Sequence, residues 1–425
     1  MKKTLLSFLL LGGLFQFSVG QNIERCSSTR YEEQKAASDS DWKARIVSNQ
    51  EAIRLAVQSN SRSFSGTVVY IPVVVHVLYN TEEQNISDQN ILDQIRVLNE
   101  DYRRLNADSI LTRSEFQPVA ADAGIEFYLA HTDPDGNPTN GITRTPTDQT
   151  SFWLSMTDMK SATTGGKDAW PIDRYLNLWV CNMSIPIINT PFILGFATPP
   201  EGAPNWPANS GAESPEEDGV VIHFEVFGTH PDATGTLATV NRGRTASHEI
   251  GHYLGLRHIW GDGDCTADDG LEDTPNAAAA NQQTCDYSTN SCTDSPVDFP
   301  DMLENYMDYS DENCLNMFTQ QQVEAMHYVI ETFRSGLVTG LVPLQDYSNS
   351  YVIYPNPCED ELNIRLLSSN CVVKSYYCTD LTGRVVSVPE KEFSKVFNTS
   401  KILPGYYFLH LETNQGKVTR RFIKK

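Results

Sequence analysis

The amino-acid sequence predicts a large α/β (α+β) domain followed by a small all-β sandwich, on three observations. Val68 to Leu78 reads VVYIPVVVHVL, a continuous apolar and β-branched run of the kind that forms a strand buried on both faces. Ser87 then opens a pattern with Ile91, Ile95, Leu98 and Tyr102 at helical spacing, so strand and helix alternate. Charge divides the chain: residues 346–425 hold 11 Lys and Arg against 8 Asp and Glu, while residues 21–345 carry a net charge of −27. Surfaces so unlike belong to separately folded units.

Length and composition agree. A chain of 425 residues exceeds what one core organises. With 54 Asp and Glu against 32 Lys and Arg the net charge is −22, a field that repels phosphate backbones and anionic headgroups and excludes nucleic-acid binding. Apolar residues at 40% and charged residues at only 20% exclude wholesale disorder. No internal repeat or low-complexity tract is present.

At the N-terminus Lys2 and Lys3 precede an apolar run from Thr4 to Phe17, and Ser18-Val19-Gly20 supplies small residues. Residues 1–20 therefore read as a secretory signal peptide, cut between Gly20 and Gln21. The run is shorter than the ~20 residues that span a bilayer and no later stretch reaches that length, so no transmembrane segment is expected. Export places nine cysteines in an oxidising compartment, and an odd number leaves at least one without an internal partner. Residues 21–62 are polar and helix-prone and end in the linker Ser59-Asn60-Ser61-Arg62-Ser63. The larger domain occupies 63–345, with further strands at Tyr175 to Val180 and Val220 to His223. A helix after Met317 is announced by Thr319 at the N-cap, Gln322 at the capping-box position, and Phe318 with Val323 as a staple. In 346–425, Tyr351 to Tyr354 is a strand ended by Pro355-Asn356-Pro357. Short strands follow around turns at Asp380-Leu381-Thr382-Gly383 and Pro404-Gly405, a sandwich pattern.

The chemistry concentrates in His248 to His258, HEIGHYLGLRH. On a helix, positions i and i+4 share a face, so His248 and His252 can present nitrogens to one ion, with Glu249 beside the open coordination position. Gly255 permits the left-handed conformation that ends the helix and reverses the chain, which lets His258 return as a third ligand. Three neutral histidines leave the fourth position of a zinc ion to water. HExxH alone arises by chance in about one chain in twenty of this length, and Gly255 with His258 lowers that roughly 400-fold. The alternative is a cell-surface binding protein with a structural metal. Such a metal takes a fourth protein ligand and needs no carboxylate beside it, so Glu249 favours a catalytic site. His76, His131, His223, His230, His327 and His410 lack partner spacing and read as structural. Asp262, Asp264, Asp268, Asp269, Glu272 and Asp273 form a loop without a base. A hard cation such as calcium would neutralise it, the alternative being a solvated acidic loop. Cys265, Cys285, Cys292 and Cys314 cluster nearby and allow three pairings.

At these residues the chain resembles the metzincin metalloproteases and, through its flanks, the pappalysin family. The flanks are Arg244-Thr245-Ala246, Ile259-Trp260-Gly261-Asp262, Asp273-Thr274-Pro275 and Asn305-Tyr306-Met307-Asp308-Tyr309, and the resemblance runs from about Val68 to Phe333. It implies a catalytic domain with a twisted mixed sheet and an active-site helix, in a secreted zinc-dependent endopeptidase made as a latent precursor with 21–62 as pro-segment. Glu249 would then take a proton from the attacking water and deliver it to the leaving amine. The resemblance implies that Met307 forms a hydrophobic floor under the metal and that Tyr309 steadies a tetrahedral intermediate. It implies a structural calcium ion at Asp269, Thr274, the Glu272 carbonyl and Asp262, and the disulfides Cys265–Cys292 and Cys285–Cys314. Cys181, Cys358, Cys371 and Cys378 stay unassigned.

Cys26, within Glu24-Arg25-Cys26, is similar to the cysteine that pappalysin pro-segments carry near their start, and reads as a latency switch whose thiolate takes the water's place. Glu312, five residues past Met307, matches the carboxylate at the base of the pocket for the residue following the scissile bond in members that cut before Arg or Lys. The usual residue is Asp, and neighbouring Asp311 is the alternative. A buried carboxylate there predicts arginine over lysine through a bidentate bond, and makes Ser61-Arg62 a self-cleavage point. Residues 346–425 resemble the sorting domain of type IX secretion substrates of Gram-negative bacteria, on Tyr354-Pro355-Asn356-Pro357, Asp380 to Arg384, Gly405-Tyr406-Tyr407 and Arg420 to Lys425. Expected partners are protein and peptide substrates and the type IX machinery, with a secreted or cell-surface destination. An adhesive sandwich is the alternative reading of the tail.

Overall fold

The computed structural model describes residues 24–30, 34, 37, 51–58, 68–186, 190–191, 193–200, 215–338, 351–366, 373–380, 384–387, 395–413 and 416–425. The expected signal peptide, Ser61-Arg62, Cys371 and residues 381–383 lie outside them. The chain forms two compact units, Met1–Val338 and Thr339–Lys425.

In the first unit β1 (Val69–Tyr79) is buried from Ile71 to Leu78, as its unbroken apolar run requires. Each fully buried aliphatic side chain there contributes about 1.5–3 kcal/mol. β1 pairs in parallel with β2 (Ile125–Leu129), β3 (Ile142–Pro146) and β4 (Leu176–Cys181). Beyond β4 lie β5 (Gly195–Ala197) and β6 (Val220–His223). β6 runs parallel to β4, and β5 runs antiparallel to β6 at the edge, completing a mixed six-stranded sheet.

Helices pack against this sheet. α1 (Asp88–Tyr102) is capped by Ser87, whose side chain accepts from the Asn90 amide, and buries Ile91, Ile95, Leu98 and Tyr102. α2 (Arg244–Tyr253) is buried at every position. α3 (Gln320–Thr332) opens with the capping box of Thr319 and Gln322. One apolar core joins Val73 and Val75 of β1, Leu98 of α1, Ile250 of α2 and Val329 of α3, and the helical residues 51–58 bury Ile53 and Val57 in it. Between α2 and Phe318 the chain has no helix or strand, and the disulfides Cys265–Cys292 and Cys285–Cys314 staple it.

The second unit is a pair of antiparallel sheets. β7 (Tyr351–Tyr354), β8 (Glu361–Leu366), β9 (Val373–Asp380), β10 (Val385–Ser387), β11 (Val396–Asn398), β12 (Gly405–Thr413) and β13 (Gly416–Lys424) order as β7-β8-β11 and β10-β9-β12-β13. Leu362, Ile364 and Phe397 from one sheet meet Tyr376, Leu409, Leu411 and Phe422 from the other in one core. Cys358 and Cys378 are buried there as free thiols.

Candidate metal centre and active site

Helix α2 presents His248 and His252 one turn apart. At its end Gly255 takes φ +90°, and the Leu256 amide donates back to the Gly251 carbonyl at 2.9 Å, reversing the chain. A Cβ at Gly255 would also lie 2.6 Å from Val329 Cγ2, so both backbone and space demand glycine. The reversal returns His258, and Nε2 of His252 lies 3.1 Å from that of His248 and 3.0 Å from that of His258.

The other ring nitrogens are engaged. His248 Nδ1 donates to the Tyr306 carbonyl at 2.7 Å, His252 Nδ1 to the Leu256 carbonyl at 2.9 Å, and His258 Nδ1 to the Asp262 carboxylate at 2.5 Å. With Nδ1 protonated, each Nε2 carries a lone pair, so three lone pairs face one another. Burial and the neighbouring rings hold His248 well below its usual range and push His252 down to about 3. Neutral rings so placed repel one another unless a cation takes the lone pairs, and this donor set with its anchored Nδ1 atoms fits zinc. Cys26 Sγ is a fourth donor, and the four ligand atoms all lie within 4.8 Å of one another.

Glu249 is wholly buried beside them. Its Oε2 accepts from the Ser28 hydroxyl at 3.1 Å and the Cys26 thiol at 3.4 Å, while Oε1 is buried without a partner among the described residues. Burial raises this carboxyl to about 8, against the hydrogen bonds from Cys26 and Ser28. Two glycines make the room: a Cβ on Gly195 would lie 2.8 Å from Glu249 Cγ, and one on Gly251 would lie 2.4 Å from the Met307 sulfur. Met307 is thus packed under α2, fully buried. Trp260 stacks on His258 with centroids 4.2 Å apart, and Tyr309 stands edge-on to both rings. Asp101, at the end of α1, accepts from the Tyr306 hydroxyl at 2.7 Å and the Ser247 hydroxyl at 2.6 Å, tying α1 to α2 and to the carbonyl that orients His248.

Residues 24–30 lie along this site. The Leu194 amide donates to the Glu24 carbonyl at 3.1 Å, the Ser27 amide to the Gly195 carbonyl at 2.9 Å, and the Ala197 amide to Ser28 Oγ at 3.0 Å, so the segment follows the β5 edge. The Tyr309 hydroxyl donates to the Cys26 carbonyl at 3.3 Å. Arg25 is 2% exposed, donates to the Ser310 carbonyl and places Nη2 3.6 Å from Glu312 Oε1. Glu312 is wholly buried, whereas Asp311 turns back to accept from the Asn313 amide at 2.8 Å.

The acidic loop divides its members. Asp269 Oδ1 accepts from the Leu271 amide at 3.0 Å and the Thr274 hydroxyl at 2.8 Å, while its Oδ2 is buried with no partner among the described residues. Burial pushes the Asp269 carboxyl well above its usual range, so a hard cation would relieve it. Asp262, expected among the calcium ligands, is instead engaged by His258 and by Arg257, whose guanidinium donates to it at 3.1 Å. Its φ of +58° belongs to the turn that aims it there. Glu272 accepts from the Gln58 side chain at 3.2 Å. Asp273 serves α3, accepting from the Thr319 hydroxyl at 2.7 Å and the Gln321 amide at 2.9 Å.

Sequence reasoning did not reach Asp101, Ser247, Gly195 or Ser28, because each acts through a partner distant in the chain. The Arg25 side chain was adjacent to a named cysteine, and its charge opposite the acid at Glu312 was the signal available.

Comparisons with known proteins place the chain among extracellular metalloproteases. Residues 164–331 match the family model of pregnancy-associated plasma protein-A, a peptidase family, and residues 352–425 match a secretion-system C-terminal sorting domain. An extracellular metalloprotease of Arthroderma gypseum is 30% identical over 65% of this chain and 78% of its own length, and one of Pyricularia oryzae is 32% identical over 63% and 76%. Among solved structures, mature mirolysin of Tannerella forsythia in complex with a cleaved peptide superposes with a TM-score of 0.56 and 43% identity, covering 67% of this chain and 97% of that one. A Tannerella forsythia promirolysin mutant superposes with a TM-score of 0.61 and 39% identity, covering 77% and 98%.

Proposed function

The chain belongs to the pregnancy-associated plasma protein-A, or pappalysin, family and is a secreted metalloendopeptidase of a Gram-negative bacterium, and from that premise we propose its site assignments, specificity and latency. The observation that carries the reading is the convergence of three imidazole Nε2 atoms at 3.0 and 3.1 Å beside a buried Glu249. His248, His252 and His258 hold zinc, which when bound acidifies a water molecule and polarises a peptide carbonyl. Glu249 takes the water's proton and returns it to the leaving amine. Burial raises this carboxyl in the closed precursor, where the Cys26 thiol and the Ser28 hydroxyl cover it. The Tyr309 hydroxyl, which reaches a backbone carbonyl at 3.3 Å, donates to the scissile carbonyl oxygen as it gains charge. Met307 supports the α2 turn from below.

Glu312 is the acid that selects arginine or lysine after the scissile bond, and the support is Arg25, buried against it. Residues 21–62 are a pro-segment, and Cys26 keeps the precursor latent by taking the water's position with its sulfur. Cleavage at Ser61-Arg62 would release it. Asp269, Thr274 and the Glu272 carbonyl hold a structural calcium ion. Residues 1–20 direct export, and 346–425 engage the type IX machinery.

Glu249→Ala should keep zinc while losing about 10²–10⁴-fold in peptide hydrolysis, and near-normal turnover would sink the assignment. For calcium, chelation should lower thermal stability, with calcium at constant zinc restoring it. Full recovery on zinc alone would leave the calcium assignment without support.

A further inference from the structure

We propose that residues 51–58 dock the pro-segment on a surface separate from the zinc site, and that this docking holds the segment on the enzyme after the chain is cut, so that latency outlasts cleavage. The inference rests on the reading of 21–62 as a pro-segment cut at Ser61-Arg62. Residues 51–58 form a short helix. A helix of this length is not stable in water by itself, so it is ordered by what it packs on. Ile53 and Val57, one turn apart, are 7% and 6% exposed and belong to the same apolar core as Leu256 and Val329. A Cβ built on Gly255 would lie 3.4 Å from Ile53 Cδ1, 3.5 Å from Pro200 Cγ and 2.6 Å from Val329 Cγ2. Ile53 is therefore seated on the reversal that returns His258, in company with Pro200 and α3.

The polar residues of the same helix meet the acidic loop. The Gln58 side chain donates to Glu272 Oε1 at 3.2 Å, and the Arg54 stem covers the loop turn, where a Cβ on Gly270 would lie 3.8 Å from Arg54 Cδ. The Arg54 charge is stabilised by Asp268 and Glu272 as well as by Glu51 on its own helix. An apolar pair against the Gly255 reversal and a cation over acids give the surface a shape and a charge that suit this helix. Neither Ile53 nor Val57 carries a metal donor, so the contact does not depend on zinc. Cutting Ser61-Arg62 removes none of these contacts, because all of them are made by residues that precede the cut. The fragment ending at Ser61 keeps two grips, Arg25 and Cys26 along the active site and Ile53 and Val57 at the reversal. Joined by one chain, each grip holds the other at high local concentration, and the fragment leaves only when both are open together.

The test uses the full precursor carrying Glu249→Ala, which does not cut itself, and a trace of active wild-type enzyme to cut it at Ser61-Arg62. Size exclusion at micromolar concentration, with intact mass of the eluted peak, shows whether the fragment travels with the catalytic domain. It should co-elute, and it should still co-elute when Cys26→Ala is added, since the helix does not use the thiol. This pair of proteins leaves the apolar core unaltered. Ile53→Ala with Val57→Ala should weaken retention about tenfold or more, read as fragment lost from the peak on dilution. In the self-cutting wild-type precursor, peptide hydrolysis should lag behind the cut fraction measured on the same samples, and the lag should shorten in the Ile53→Ala, Val57→Ala precursor. A fragment that separates from the Glu249→Ala, Cys26→Ala protein, or hydrolysis that follows the cut fraction without a lag in wild type, overturns the inference. The N-terminal sequence of the active enzyme tests the underlying reading separately: a start upstream of Glu51 would make the helix part of the mature enzyme, and its docking role falls with that boundary.

Discussion

His252 in α2 and His76 in β1 are both buried histidines whose rings burial keeps neutral, at about 3 and about 4 respectively, yet they serve opposite ends. His76 has both nitrogens engaged by protein: Nε2 lies 2.9 Å from Asn177 Oδ1 and Nδ1 lies 2.8 Å from Thr143 Oγ1. The Asn177 amide nitrogen donates to the Trp170 and Tyr175 carbonyls, so its oxygen can only accept, and His76 carries its proton on Nε2. His252 has only Nδ1 engaged; its Nε2 points at two other Nε2 atoms. Burial and a depressed pKa therefore do not separate a structural histidine from a ligand. An unclaimed lone pair facing others does.

That contrast can be broken most directly by exchange of effects. His252→Ala should lose stoichiometric zinc and lower kcat/KM by about 10³-fold or more, while His76→Gln keeps its zinc. Metal analysis with a peptide assay decides it, and zinc retained at full occupancy in His252→Ala would remove the basis of the comparison. A smaller effect concerns the fourth donor. A Cys26→Ala precursor loses one of the anchors of residues 24–30 and should convert to active enzyme about tenfold faster, followed as the rise of hydrolysis by fresh precursor. A time course matching that of the unaltered precursor would count against the latency switch.

A third prediction, on stability, sharpens the His76 side. This ring protonates near 6.5 in the unfolded chain and only near 4 in the fold, where burial opposes charge. The folded state thus binds fewer protons in that window. Stability is complete above pH 6.5 and falls as the pH drops, by about 3 kcal/mol at pH 4 from this residue. Denaturant unfolding at pH 7, 5 and 4 should show a shallower acid loss in His76→Gln than in wild type. Parallel slopes would show that His76 does not titrate as its burial dictates.

Several parts of the molecule follow from sequence because they depend on neighbours a turn or less away. The i, i+4 spacing of His248 and His252, the reversal at Gly255, the Thr319 capping box and the burial of β1 are set by helix pitch, glycine φ and strand pairing, which act over a few residues. The family resemblance added the roles of Met307, Tyr309, Cys26 and Glu312, which spacing alone does not supply. What only the tertiary structure decided involves partners far apart in the chain. Asp101 meets Tyr306 across 205 positions, and nothing in a helical pattern signals that an acid at its end will be buried. Gly195 must be bare because Glu249 arrives against it. Asp262, which the family resemblance implied as a calcium ligand, turns to His258, and Glu312 accepts from the Arg242 amide and the Thr245 hydroxyl. Periodicity and capping are short-range and repeat along the chain, whereas the claim on each buried lone pair depends on which distant donor the fold brings to it.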